Sequence, residues 1–73
     1  MDKLQSRSVV RRIVEQGGEF MVSFHTHNGY FFVAPSPDAP ALKERLWKSQ
    51  REQEEITFTF DRNLRILEIY DLA

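Results

Sequence analysis

The chain has no cysteine, so no disulfide staples it and no thiolate is present to hold zinc or an iron–sulfur cluster. That absence predicts a reducing compartment, with the cytoplasm as the default. No apolar run approaches the roughly 20 residues of a membrane span. The first stretch, MDKLQSRSVVRRIVEQ, carries charges where a secretory leader would be apolar, so neither insertion nor export is expected. A surplus of positive charge is missing too: 10 Lys and Arg stand against 11 Asp and Glu, for a net charge of −1. Generic polyanion binding rests on such a surplus. A glycine-rich phosphate loop, a nucleophile elbow and a carboxylate set in an apolar run are all absent, which predicts a chain that is not an enzyme and holds no cofactor.

What is present is a collapsing composition. Of 73 residues 41% are hydrophobic, with six Phe, two Tyr and one Trp, the profile of one small folded domain over 1–73. Residues 2–16 read as a helix. Asp2 serves as cap, Gln5 stands at the capping-box position, and Val9, Val10, Ile13 and Val14 recur at helical spacing before Gly17-Gly18. The same β-branched cluster also suits a strand turned by the two glycines, so helix or strand stays open over residues 9–16.

Residues 19–34 read as a hairpin on Asn28-Gly29, the preferred pair for a two-residue type I′ turn. That turn sets Ser23 opposite Ala34 and His25 opposite Phe32. Val22, Phe24, Thr26, Phe31 and Val33 then share a core face, and Met21, Ser23, His25, His27, Tyr30 and Phe32 share the other. The proline-rich segment 35–40 ends the strand and opens a helix to about Glu54, with Ala39, Leu42, Leu46, Ser49 and Gln53 on its inner stripe. Residues 56–72 alternate around Asp61-Arg62-Asn63 as a second hairpin, with Ile56, Phe58, Phe60, Leu67 and Ile69 inward and Thr57, Thr59, Leu64, Ile66, Glu68 and Tyr70 on the other face. The expected fold is therefore α+β in two layers, ordered α-β-β-α-β-β. Two hairpins form a four-stranded antiparallel sheet, and helices pack on one face.

Three constellations bear on function. His25 and His27 stand two apart on a strand and point the same way, but two imidazoles alone are not a metal site; a centre would need carboxylates such as Glu19 or Glu68, or a second subunit, and no metal is expected. Ser23 shares their face as a nucleophile next to a base, a placement that alternation alone produces. Lys3, Arg7 and Arg11 would line one face of the first helix as phosphate contacts.

Gly29-Tyr30-Phe31-Phe32-Val33 resembles the third-strand motif of RNA-recognition-motif domains, whose outward aromatics stack on bases. Asn28 stands where that family has a basic residue, Phe31 where it has a small one and Pro35 where it has a last aromatic. The early helix followed by Val22-Ser23-Phe24 and Asn28-Gly29 is similar to the start of Sm-like RNA-binding proteins, over about the first third of the chain. Neither resemblance extends to a family assignment. The favoured expectation is a protein-interaction or regulatory module that self-associates through His25, His27, Tyr30 and Phe32 on an open sheet face. Binding of RNA or single-stranded nucleic acid through Tyr30 and Phe32, with the basic residues of the first helix, is the alternative.

Overall fold

A computed structural model describes residues 3–70. It contains strands β1 (Leu4–Ser8), β2 (Val10–Gln16), β3 (Glu19–Phe24) and β4 (Tyr30–Val33), helix α1 (Ala39–Glu52), and strands β5 (Ile56–Phe60) and β6 (Ile66–Tyr70). The expected four-stranded sheet under two helices is corrected to two three-stranded antiparallel sheets, β1-β5-β6 and β2-β3-β4, with one helix.

The first helix is absent from the described residues, and its stretch forms two strands joined at Val9. Asp2, its expected cap, lies outside them, as do Asp71 and Leu72 at the end of the last expected strand. Local capping signals lose here because β3 and β5 each have an edge to pair: β2 pairs with β3, and β1 pairs with β5 from Leu4–Phe60 to Ser8–Ile56. Ladder bonds and a shared apolar face outweigh the few tenths of a kcal/mol per residue that separate helix propensities. Gly17 and Gly18, at φ +60° and +82°, make the two-residue turn between β2 and β3. Positive φ at both positions is what a type I′ connection needs.

The Asn28-Gly29 turn does not form as expected. Gly29 has φ +91°, whereas Asn28 is not among the described residues with positive φ, and the strands end at Phe24 and Tyr30. Backbone bonds to the β1–β2 bend hold the loop off the sheet: His25 N–H donates to the Val9 carbonyl (3.1 Å) and Thr26 N–H to Ser8 Oγ (3.3 Å). Ser23 consequently pairs with Tyr30, four residues short of the expected Ala34. An even slip leaves each side chain on its expected face, since alternation has period two. In β5–β6 the register shifts between Thr59 and Phe60, so Phe60 pairs with Ile66 while Phe58 pairs with Ile69. The irregularity turns Ile66 into the core and leaves Leu67 half-buried, the reverse of the sequence expectation.

The core lies between the sheets. Val10, Phe20, Val22, Phe24, Phe31 and Val33 from one meet Ile56, Phe58, Phe60 and Ile66 from the other, and Ala39 and Leu46 of α1 join the same cluster. Phe24 and Phe58 stack across the gap with ring centroids 4.3 Å apart. The helix is tied in by one buried hydroxyl: Ser49 Oγ accepts from Val10 N–H (3.2 Å) and donates to the Glu54 carbonyl (2.6 Å). A bond from Phe32 N–H to the Leu64 carbonyl (2.9 Å) joins β4 to the β5–β6 turn.

Candidate functional site: the outer face of the β2-β3-β4 sheet

Cross-strand partners on antiparallel strands share a face, so the register builds the outer surface directly. One row runs Arg12, Ser23, Tyr30; the next runs Val14, Met21, Phe32. Phe31 and Val33 are buried on the core side, which leaves Tyr30 and Phe32 outward, 41% and 36% exposed. Val14 and Met21 are half-buried beside them, and Leu64, exposed, follows Phe32 across the β4 edge. The result is an apolar strip with a basic corner at Arg12. Beside Phe32 at the glycine turn lies a shallow groove of about 290 Å³, lined by Gly17, Gly18, Glu19, Phe20, Val33 and Pro35 among others. A Cβ at Gly17 or Gly18 would meet nothing within 4 Å, so the groove is open above the turn.

Ser23 sits in the middle of this face. It is buried, and among the described residues its Oγ is the one buried side-chain polar atom with no hydrogen-bond partner. An unmet buried hydroxyl costs about 1–3 kcal/mol.

The structure separates the residues expected to act together. Tyr30 and Phe32 are on the outer face as expected. His25 is exposed in the β3–β4 loop, while His27 turns toward the core side and sits half-buried among phenylalanines. Its ring lies 5.2 Å from Phe31, 6.1 Å from Phe58, 6.2 Å from Phe24 and 6.3 Å from Phe60, edge to face, and Nε2 lies 2.7 Å from Ser6 Oγ. Sequence reasoning paired Ser23 with His25; the fold pairs Ser6 with His27. That contact is a serine and a base in hydrogen-bond range, yet among the described residues no carboxylate bonds the other ring nitrogen to orient it. Its evident work is to pin the loop to β1. No group of three or more metal-binding side chains is found among the described residues.

The basic line is dispersed once its helix is gone. Lys3 pairs with Glu68, Arg7 Nε lies 3.6 Å from Glu55, and Arg11 falls at the register shift between Val10 and Arg12. Along a strand, residues four apart are about 13 Å apart, so these cations do not form one compact patch. Lys3 belongs instead to a network on the other sheet. There Glu68 also accepts from the Tyr70 hydroxyl (2.9 Å) and from Thr59 Oγ1 (3.4 Å). The bond from Lys3, then that from Tyr70, holds the Glu68 carboxyl below its ordinary value, and the bond to Glu68 raises both Lys3 and Tyr70.

The helical reading of residues 2–16 hides Arg12 and Val14 as residues of this face, whereas Leu64 is expected on the outward face of the last hairpin. The strand alternative, had it been followed, would have placed Val14 beside Met21 through the Gly17-Gly18 turn.

No protein-family model matches the chain, and no curated protein matches it. In fold it is similar to the crystal structure of pro-protein-glutaminase and to that of a mutant of the same protein. Each has a TM-score of 0.81 at 16% identity, over 92% of this chain and 24% of that one. The chain thus spans about a quarter of the length of the structures it matches. This corrects the expectation that the chain is not an enzyme: the fold occurs within an enzyme's pro-form, so the lack of a catalytic motif does not set it apart from enzyme chains. At 16% identity the likeness is one of fold.

Proposed function

We propose that this chain is a protein-interaction module that self-associates through the outer face of the β2-β3-β4 sheet. The observation that carries the reading is the exposed pair Tyr30 and Phe32 on a face the core does not use, next to an open groove at Gly17-Gly18. A two-fold interface brings the same patch from both copies together, so one patch has to carry both projection and recess. This face has both. Aromatic residues are enriched at the centres of such interfaces. The fold's occurrence as part of a longer enzyme chain agrees with a module that works joined to, or docked on, other protein. A chain without cysteine suits a reducing compartment, and we place its action in the cytoplasm.

The test is the mass in solution of wild type and of the double variant Tyr30→Glu with Phe32→Glu. Wild type should run at twice the 8.6 kDa protomer mass, and the variant as a folded monomer by light scattering and circular dichroism. A wild type that stays monomeric at high concentration overturns self-association. Arg12, in one row with Tyr30 across Ser23, favours a second reading, in which the same face stacks single-stranded nucleic acid. In that case the wild type is monomeric and binds oligonucleotides with steep salt dependence, and the double variant loses that binding at unchanged mass.

A further inference from the structure

We propose that the outer face of α1 is a separate recognition surface for an acidic peptide segment of a partner protein, with Trp47 as its apolar anchor. Trp47 is 40% exposed, unusual for so large an apolar ring, and one edge of it is held against Phe20, with centroids 5.2 Å apart and planes at 88°. The ring is thus fixed on the domain while much of its surface faces solvent. Around it lies a depression of about 580 Å³ lined by Ala41, Glu44, Arg45, Lys48 and Arg51. Lys48 makes no ion pair among the described residues, and Arg51 reaches only its exposed neighbour Glu52, at 3.5 Å. Exposed pairs of that kind are worth little and give way to a better acceptor.

Charge and size select the occupant. From Lys48 to Arg51 the helix rises about 4.5 Å, enough to meet two carboxylates spaced along a peptide. A nucleic-acid strand carries a charge at every nucleotide and needs a longer basic track. Here Glu44 lies within the patch and Glu52, Glu54 and Glu55 follow its end, so an extended phosphate backbone would meet repulsion on leaving it. A peptide with carboxylates flanking one apolar side chain sets the apolar group on Trp47 and the charges on Lys48 and Arg51. Trp and Arg are also the residues most enriched where binding energy concentrates.

Trp47 is the single tryptophan of the chain, so its emission reports this face and no other. The full chain is titrated with the blocked peptide Glu-Glu-Leu-Glu-Glu, with its Gln-Gln-Leu-Gln-Gln analogue and with a short oligothymidylate. The acidic peptide should shift Trp47 emission saturably, with an affinity that weakens as salt is raised. The exposed double variant Lys48→Glu with Arg51→Glu should weaken it by about tenfold or more at unchanged circular dichroism. The Tyr30→Glu, Phe32→Glu variant should bind as wild type does, which keeps this result distinct from the sheet-face reading. No emission change with the acidic peptide, an equal response to the neutral one, or tighter binding of oligothymidylate would each overturn the proposal, the last in favour of a nucleic-acid surface.

Discussion

The two sheets have three strands each and face the same core, yet their outer surfaces differ in kind. Each places a buried hydroxyl on the outward side of its central strand: Thr59 on β5 and Ser23 on β3. Thr59 donates to Glu68, which is also bonded to Lys3 and Tyr70. Ser23 has no partner, and its neighbours are Arg12, Tyr30 and Met21. One surface is thus closed on itself by polar contacts, and the other is left with apolar rings and an unmet hydroxyl. The difference teaches where to look for function: a face whose polar groups are already paired asks nothing of a partner.

The largest expected effect tests what the sheets share. Phe58→Ala removes the ring that stacks on Phe24 and also meets Phe31 and Phe60, so both sheets lose their common support. A cost of about 3–5 kcal/mol is expected, enough to unfold a domain of this size. Thermal melting checks it, and an unchanged midpoint would refute the packing across the gap.

A smaller effect tests the contrast itself. Thr59→Val removes a donor from the Glu68 network and should cost about 0.5–1.5 kcal/mol, whereas Ser23→Ala removes a hydroxyl that bonds nothing and should be neutral or slightly stabilising. Denaturant unfolding of the two variants side by side decides it. If Ser23→Ala destabilises as much as Thr59→Val, the outer faces are not different in the way described.

The smallest effect is in pH. Glu68 is held below its ordinary value of 4.5, so its contribution is present above that value and lost as pH falls through the lowered one. Lys3 and Tyr70 are raised above 10.5 and 10.0, so theirs is present below those values and lost as pH rises through the raised ones. All three are at the surface and screened, and the effect is slight. Glu68→Gln should flatten both the acid and alkaline limbs of the stability profile, and an unaltered profile would argue against the network.

By itself the sequence determined the helix at Ala39–Glu52, through the prolines before it and the stripe of Ala39, Leu46 and Ser49, and the strand at Ile56–Phe60, through strict alternation. It also determined which sides of β3 and β4 are apolar, because an error of four residues in pairing preserves the alternation of side chains. Only the tertiary structure decided the rest. Residues 9–16 suit both a helical and a strand pattern, and pairing with β3 across the Gly17-Gly18 turn, together with the pairing of residues 4–8 with the distant β5, settled both stretches as strands. His27 left its expected face because Ser6, 21 residues away, and a ring of phenylalanines from both sheets give its imidazole a place that no local rule encodes. Local propensities differ by tenths of a kcal/mol and long-range burial by several, so wherever the two compete the fold follows the burial.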